Sequence, residues 1–388
     1  IGDQALLIAG NAGDEWIGLL VRISLGAALA MGGEFEGASN ILSVADSLAK
    51  KLNDTLASAA AYLWEAYTAD KLGYKSSALL FLEQGLQLVQ EHRYQFLLTK
   101  GSLLGPDDPF TFYPLLLRAR EMGLAPELIT PILNNLPVSL GSYHPGYTLS
   151  LNLLGGFEAR KGKHLIPAEH WKRDKARQLL QALAVNSGKG MNKEHLAVLF
   201  WPEADESTAA NNFKVTLSAL NQTLEPNRPP KEAAQFVVRN GEQYQLNQQM
   251  RLNLDTDRFE KLALSSQMED KERALAIYKG RMLEGEQLQE AFMPEVQYYH
   301  RLYLDCLSKV IEAAIAGKDY DKGLELSNRL VRQEPLLEVG YQYQMRIYHA
   351  LGNASMVRKV HNQAMDVVRK MYGTESDDLR TLFQELNG

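Results

Sequence analysis

The middle of the chain limits the fold more than any other part, because its hydrophobic period changes near residue 148 and changes back near residue 257. Apolar residues alternate at Leu149, Leu151 and Leu153, which is the spacing of a strand. Three segments with the helical period follow, over about 172–185, 192–200 and 206–224. Alternating residues around Asn240-Gly241 then predict a hairpin. This order of sheet, three helices and hairpin predicts a small α+β domain.

Both flanks of this segment show the longer period of helical repeats. Phe35 and Tyr74 lie 39 residues apart, and each stands at the same place between two amphipathic stretches. Gly317 and Gly352, 35 residues apart, mark a similar recurrence near the C-terminus. Helix pairs of this kind stack because a single pair cannot bury its apolar face. We therefore predict a mainly α chain in which helical repeats flank a small α+β domain.

Prolines separate the first repeats from the middle segment. Seven of the 14 prolines fall between residues 105 and 148, and proline ends helices and favours turns. We predict three domains: residues 1–148 as a helical-repeat domain with this proline-rich linker, suited to a sensor or coupling role, residues 149–256 as the small α+β domain, and residues 257–388 as a second helical-repeat domain.

Charge is distributed unevenly along the chain. The whole chain carries 41 basic and 47 acidic residues, a net charge of −6. Residues 160–189 reverse this balance, with eight basic and two acidic residues. Since a local positive field attracts a polyanion whatever the net charge, the middle segment is the part that suits nucleic acid.

The third helix of the middle segment carries the residues best suited to reading bases. Its apolar stripe is Phe213, Leu217, Leu220 and Leu224, and its outer face, at 100° a residue, is Asn211, Lys214, Val215, Ser218, Ala219 and Gln222. Asn and Gln pair with adenine, and a helix presented in this way fits the major groove. The alternative interpretation is a solvated helix face that binds nothing.

Basic residues near this helix are expected to contact phosphates, which position a protein on DNA without specifying the sequence. In the first helix of the segment these are Lys172, Arg173, Lys175 and Arg177. Arg239 and Asn240, at the tip of the hairpin, are expected along the backbone or in the minor groove.

The sequence contains no motif typical of disulfide-rich proteins, of zinc-binding proteins or of the common hydrolases and nucleotide-binding enzymes. A single Cys306 excludes a disulfide framework and a Cys-cluster zinc site. The catalytic patterns His-Glu-x-x-His and Gly-x-Ser-x-Gly do not occur, nor does a phosphate loop. We expect no enzyme, no cofactor and no metal, and the carboxylates of Glu65, Asp70 and Glu83 are expected to be solvated. With no uninterrupted apolar window of about 18 residues and no signal peptide, we expect a cytoplasmic protein without a membrane segment.

The middle segment resembles a class of bacterial activators, the antibiotic-regulatory-protein (SARP) class. The resemblance is carried by Leu151-Asn152-Leu153-Leu154-Gly155-Gly156-Phe157-Glu158 for the opening strand, Lys175-Ala176-Arg177-Gln178-Leu179-Leu180 for the first helix, Leu196-Ala197-Val198-Leu199-Phe200-Trp201-Pro202 for the second, and Asn211-Asn212-Phe213-Lys214-Val215-Thr216-Leu217-Ser218-Ala219-Leu220 for the recognition helix. The family implies an OmpR-like winged helix, here residues 149–256, that binds promoter DNA. It also implies that this small α+β winged-helix domain is flanked by tetratricopeptide-like (TPR-like) helical repeats in a mainly α chain. Its recognition helix is usually Arg-rich, whereas Lys214 is the one basic residue here, so monomer binding is expected to be weak.

The resemblance continues into the bacterial transcriptional activator domain that follows in this family. Its landmarks are similar to Tyr278-Lys279-Gly280, Glu334-Pro335-Leu336-Leu337-Glu338 and Leu351-Gly352-Asn353. This domain implies recruitment of RNA polymerase. The first third resembles the helical-repeat sensor segment of MalT-like regulators, in which an ATPase module usually precedes the repeats, and here such a module would precede Ile1.

The sequence thus favours a DNA-binding transcriptional regulator, an activator by its resemblance. Its expected partners are double-stranded promoter DNA, RNA polymerase, a second copy of the chain in a homodimer, and a small-molecule or protein effector at the N-terminal repeats. The alternative is a helical-repeat scaffold for protein interactions, in which the winged helix does not bind DNA.

Overall fold

The computed structural model describes residues 2–135 and 143–387, so part of the predicted linker, residues 136–142, lies outside the described residues. The chain divides into two compact units. The first unit is Ile1–Ser150 with Ala159–Leu252, and the second is Leu151–Glu158 with Asn253–Gly388. Neither unit is a continuous stretch of sequence. The predicted division into three domains stays a prediction.

The N-terminal region of the first unit is a stack of antiparallel helices. They are α1 (Gly2–Ala12), α2 (Glu15–Gly32), α3 (Phe35–Leu52), α4 (Thr55–Lys71), α5 (Lys75–His92), α6 (Phe96–Thr99), α7 (Tyr113–Glu121) and α8 (Pro126–Asn135). Phe35 begins α3 and Tyr74 directly precedes α5, so the repeat read from the sequence corresponds to successive helix pairs. Glycines in the left-handed region end the turns before both helices, Gly33 at φ +87° and Gly73 at φ +85°.

Small residues let α4 pack in the centre of this stack. Alanines fill much of the helix and are buried, and Trp64 lies among them without solvent contact. The Trp64 indole Nε1 donates to the carbonyl of Leu104 at 2.8 Å, and its ring meets Phe112 edge-on with centroids 4.9 Å apart. The loop that follows α6 is therefore part of the core rather than a loose connection.

Two of the three carboxylates expected to be solvated make contacts inside this region. Glu65 on α4 is buried with 7% of its surface exposed, and Asp70 forms an ion pair with Arg118 on α7. Desolvation, together with the charge of Asp46, raises the pKa of Glu65 to about 7, although Lys50 opposes the shift. That expectation was wrong for both residues because helix periodicity does not report which polar residue a neighbouring helix covers. Glu83 is exposed.

One described helix, α2, is long and apolar enough, by length and composition alone, to cross a membrane. A third of that 18-residue window is buried in the protein, where α2 packs against α3 and α4. Core helices of water-soluble proteins meet the same criterion, so the finding is weak on its own.

The winged helix follows along the chain, and most of its residues belong to the first unit. Its strands are β1 (Leu149–Asn152), β2 (Glu158–Lys161), β3 (His164–Leu165), β4 (Met191–Asn192), β5 (Val237–Asn240), β6 (Gln243–Leu246) and β7 (Leu252–Leu254), and its helices are α9 (Asp174–Val185), α10 (Lys193–Phe200) and α11 (Glu206–Leu224). One sheet has the order β3-β2-β1-β7 and the other β4-β6-β5. The predicted hairpin is confirmed as β5 and β6, which pair antiparallel from Val237 opposite Leu246 to Asn240 opposite Gln243.

The C-terminal region consists of further antiparallel helices. They are α12 (Asp255–Ala263), α13 (Met268–Ile277), α14 (Met293–Ala316), α15 (Tyr320–Gln333), α16 (Glu338–Ala350), α17 (Ala354–Tyr372) and α18 (Asp377–Asn387). Gly317 and Gly352 lie in the turns after α14 and α16, as the spacing predicted. The mainly α fold, with helical repeats and a small winged helix, is confirmed.

A short tongue of the chain, residues 151–158, belongs to the same unit as these C-terminal helices. The buried carboxylate of Asp255 accepts the backbone N–H groups of Leu153 at 2.8 Å and Leu154 at 2.9 Å. Leu283 N–H donates to the Leu153 carbonyl at 2.7 Å, and Gly155 N–H to that of Arg281 at 3.1 Å. The tongue is thus held through its backbone, which explains its tight approach to the chain at residues 279–283.

Candidate nucleic-acid interface

The helix α11 presents one polar ridge to solvent. Asn211, Lys214, Ser218 and Gln222 are all exposed, and Val215 is 37% exposed beside them. The positions are three or four residues apart, so they lie one above another on a single helix face. The predicted outer face is therefore present at five of its six positions.

Ala219 is the exception, since it is buried rather than on the outer face. Thr216 and Thr223 are buried with it, and Leu217 of the predicted apolar stripe is only half-buried. The covered face is rotated toward the threonines because α9 packs along that side of α11: the Thr223 hydroxyl lies 3.5 Å from the carbonyl of His170, just before α9. The positions of the apolar residues alone therefore did not predict which residues lie at the centre of the buried face of α11.

Both ends of α11 are fixed by carboxylates. Asp205 caps the first turn: its side chain accepts the Thr208 N–H at 3.0 Å and the hydroxyls of Ser207 and Thr208 at 2.6 Å. These hydrogen bonds hold the pKa of Asp205 well below its usual range. An Asp three residues before a Thr at the start of a helical period is a recognisable cap signal.

Glu225, directly after the last turn of α11, joins this helix to the hairpin. Its buried carboxylate accepts the backbone N–H groups of Gln235 at 2.7 Å and Phe236 at 3.0 Å, just before β5. Burial raises the pKa of Glu225, and the two hydrogen bonds oppose that shift. Sequence reasoning missed this residue, because a Glu before Pro226 has no pattern that distinguishes it from a solvated one.

The basic residues ahead of α9 and on it fall into two groups. Lys172 and Arg173 are exposed, and the Lys172 ammonium donates to Gln222 Oε1 at 2.8 Å. Lys175 and Arg177 are half-buried, and the Lys175 ammonium lies 5.4 Å from the ring centroid of Phe200. The structure thus brings Lys172 to the ridge of α11.

Arg239, the basic residue predicted at the hairpin, binds other groups of the hairpin itself. The Arg239 guanidinium lies 3.1 Å from both Glu242 carboxylate oxygens, and its Nε donates to the Gly241 carbonyl at 2.9 Å. Asn240 is exposed at the end of β5. Tyr244, which lies directly opposite Arg239 in the hairpin, meets Phe213 of α11 with ring centroids 4.8 Å apart, so hairpin and helix share a core contact.

Two lysines of the basic stretch also bind groups within the first unit. Lys161 donates to the Thr223 carbonyl at 3.0 Å, and burial lowers its pKa. Lys163 forms an ion pair with Asp107 in the loop before α7. The positive charge counted from the sequence over residues 160–189 is therefore larger than the positive charge that is available to bind DNA.

The same loop is tied to the entry of β1. The Asp108 carboxylate accepts the Thr148 N–H at 2.6 Å and its hydroxyl at 3.1 Å. His164 Nε2 lies 2.7 Å from the Met31 carbonyl at the end of α2. Within the first unit, the winged helix and the N-terminal helices therefore share polar contacts that sequence analysis did not anticipate.

No cluster of three or more His, Cys, Asp or Glu side chains that could hold a metal occurs among residues 2–135 and 143–387. Cys306 is buried, its Sγ lies 3.5 Å from the Lys271 carbonyl, and desolvation raises the pKa of its thiol to about 11. A thiol of this pKa is a poor nucleophile at neutral pH.

Comparison with known proteins places the C-terminal region in a family. Residues 252–387 match the family described as bacterial transcriptional activator domain. A solved structure of Mycobacterium tuberculosis EmbR in complex with a low-affinity phosphopeptide is similar, with a TM-score of 0.51 and 17% identity. The alignment covers 62% of this chain and 65% of EmbR, slightly under two thirds of that protein. None of the curated proteins matches this chain. The bacterial transcriptional activator domain expected from the sequence is therefore confirmed at residues 252–387.

Proposed function

We propose that this chain, which carries a bacterial transcriptional activator domain at residues 252–387, is a SARP-type regulator that activates transcription by binding promoter DNA through its winged helix. The observation that carries the proposal is the exposed polar ridge of α11, whose two ends are fixed by Asp205 and Glu225. A rigid helix with this face enters the major groove and meets base edges without a change in the backbone.

Each ridge residue has a role in this proposal. Asn211 and Gln222 pair with adenine, and Lys214 donates to a guanine edge or a phosphate. The Ser218 hydroxyl both donates and accepts, so it is compatible with donor and acceptor groups on the base edges. Because Lys172 already donates to Gln222 Oε1, the Gln222 amino group is the part left to donate to a base acceptor.

Phosphate contacts come from the surrounding cations. Lys172 and Arg173 lie exposed at the start of α9, and Lys175 and Arg177 follow on the helix itself. Arg239 and Asn240 reach the backbone or minor groove from the hairpin, which requires Arg239 to exchange Glu242 for a phosphate. Such contacts position the protein and make its affinity depend on salt.

In this proposal the helical repeats serve dimerisation, contact with RNA polymerase and binding of an effector. One basic residue on the ridge makes a monomer a weak binder, so we propose a homodimer whose two ridges bind repeated half-sites with greater avidity. The activator domain contacts RNA polymerase in the cytoplasm, and no catalytic step, metal or cofactor is involved. The N-terminal repeats take a small-molecule or protein effector, for which an open groove of about 590 Å³ between α1, α2 and α3 offers a place.

The test is binding of the full chain to a pool of random duplexes at two salt concentrations, with sequencing of the bound fraction. We expect an enriched repeated motif whose affinity falls with salt. Lys214→Ala should weaken binding by about 1–3 kcal/mol and relax one position of the motif. Arg239→Ala should reduce the salt slope by about 1.

Cys306→Ser is the control, since the thiol lies buried in the C-terminal unit and its loss should leave the motif and affinity unchanged. Unchanged affinity in both basic variants would contradict the proposal.

The second candidate is a protein-interaction scaffold. It is favoured by the internal pairing of Lys161, Lys163 and Arg239, which reduces the charge available to DNA. A sequence-blind, salt-insensitive response to DNA together with a tight protein partner would support it.

A further inference from the structure

A groove of about 450 Å³ lies in the C-terminal unit between α15 and α17, with side chains of α16 lining it as well. Sites of this size hold peptides and small ligands in other proteins. The groove contains none of the residues proposed above to contact DNA, so the inference drawn from it does not depend on DNA binding.

Two amides at the groove are locked to each other. Gln344 on α16 has only 6% of its surface exposed, and its Nε2 donates to Asn328 Oδ1 on α15 at 2.9 Å. The hydrogen bond uses one of the two acceptor positions of the Asn328 oxygen and orients its side chain. The Asn328 amino group can therefore donate to a ligand that brings an acceptor oxygen.

Two cations line the groove together with this amide pair. Arg332 on α15 and Lys359 on α17 both line the groove and are exposed, and within the described part of the chain neither forms an ion pair. Neighbouring cations differ: Lys322 pairs with Glu272, and Arg329 stacks over Tyr303. Guanidinium and ammonium groups only donate, so the three polar groups together call for carboxylate or carbonyl oxygens.

The remaining lining includes buried valines and one carboxylate. Val331 and Val360, the chain neighbours of Arg332 and Lys359, line the groove and are buried, so they form its floor. Glu325 lies seven residues before Arg332 on α15, which places it about 10 Å away along the helix axis. The groove is thus positive over an apolar floor, within a region, residues 257–388, that holds 18 basic and 21 acidic residues.

We propose that this groove binds an extended acidic peptide segment of a partner protein. Two carboxylates of the segment meet Arg332 and Lys359, a backbone carbonyl accepts from Asn328, and an aliphatic side chain between the carboxylates packs on Val331 and Val360. Duplex DNA and a free anion fit less well, because neither supplies an apolar group for the floor.

The test uses the full chain and fluorescence anisotropy. The probe is a fluorescein-labelled peptide of three Ser-Asp-Leu-Glu repeats, and its matched peptide has three Ser-Asn-Leu-Gln repeats. We expect the acidic peptide to bind at least about tenfold more tightly. Arg332→Gln and Lys359→Gln should each weaken it by about tenfold, because each removes a charge-assisted hydrogen bond. Glu325→Gln should tighten it by about two- to threefold, since it removes a like charge.

Arg358→Gln is the matched control: this cation is exposed on the same helix as Lys359 but does not line the groove. It should bind the acidic peptide like wild type. Equal affinity for the two peptides, or equal loss in Arg358→Gln and Lys359→Gln, would overturn the proposal. So would a loss of duplex DNA affinity in Arg332→Gln without a loss of peptide affinity, which would assign these cations to nucleic acid.

Discussion

At the scale of single residues, the buried carboxylate of Glu225 has the clearest energetic consequence. Glu225→Ala leaves the N–H groups of Gln235 and Phe236 buried without an acceptor. We expect it to lower the free energy of unfolding by about 3 kcal/mol, and Glu225→Gln, which keeps an acceptor oxygen, by about 1 kcal/mol. Urea denaturation measures both, with the exposed Glu203→Ala as control. An alanine variant as stable as wild type would mean that the hairpin does not depend on this residue.

Glu65 makes stability depend on pH. Its pKa is raised from 4.5 to about 7 in the folded chain, so between these values the folded state binds more protons than the unfolded one, and stability falls as the pH rises through this window. Glu65→Gln should remove this dependence and gain up to about 3 kcal/mol at pH 8 relative to wild type. Denaturation midpoints at pH 4.5 and pH 8 measure the effect.

The control for this prediction is Glu83→Gln, which changes an exposed carboxylate in the neighbouring α5. It should keep the wild-type pH profile. A Glu65→Gln profile that still falls between these pH values would assign the effect to other groups.

Residue roles were predictable where they follow from local sequence. The exposed ridge at Asn211, Lys214 and Ser218 follows from helix periodicity, which needs only neighbours on the same helix. The burial of Ala219 depends on the packing of α9, and the role of Asp255 depends on Leu153, which is 102 residues away. One sequence does not encode such distant contacts in any readable pattern.

At the scale of elements, the tongue of residues 151–158 shows what a close backbone approach requires. Gly155 has φ +92°, and a Cβ there would lie 2.8 Å from Lys279 Cβ and 3.0 Å from the Gly280 nitrogen. Gly155→Ala should therefore cost about 3 kcal/mol, from backbone strain and displacement of the neighbouring chain. Thermal and urea unfolding measure it.

Gly241→Ala is the matched variant, because this hairpin glycine also has positive φ, +60°, but open space around its Cβ position. It should cost only about 1 kcal/mol, the strain alone. Equal losses of unfolding free energy in the two variants would show that the close backbone approach at Gly155 adds nothing to the strain of positive φ.

Elements with a strong period were predicted closely, and elements defined by their partners were not. The helices expected at 172–185, 192–200 and 206–224 are α9, α10 and α11, which differ from these bounds by two residues or fewer. The strands β4 and β7, with two and three residues, were missed. Strands this short have no period of their own and exist because a neighbouring strand pairs with them.

At the scale of the whole molecule, two compact units predict two transitions on heating. Promoter DNA would bind residues of the first unit, and the acidic peptide would bind the second. We expect calorimetry of the full chain to show DNA raising one transition and the acidic peptide raising the other, because a ligand stabilises the unit that binds it. At 100 times the dissociation constant each shift corresponds to about 2.7 kcal/mol.

Lys214→Ala should abolish the first shift and Lys359→Gln the second. A single transition that both ligands raise equally would contradict this prediction and show that the chain unfolds as one cooperative body.

The chain passes from one unit to the other after Ser150, again after Glu158 and again after Leu252. Because residues 151–158, near the start of the winged helix, belong to the other unit, no single cut in the gene separates a complete DNA-binding module from a complete activator module. Recombination that exchanged either module alone would leave the Asp255 carboxylate or the tongue without its partner. The two modules are therefore expected to be inherited as a pair, and new specificities to arise by substitution on α11 rather than by module exchange.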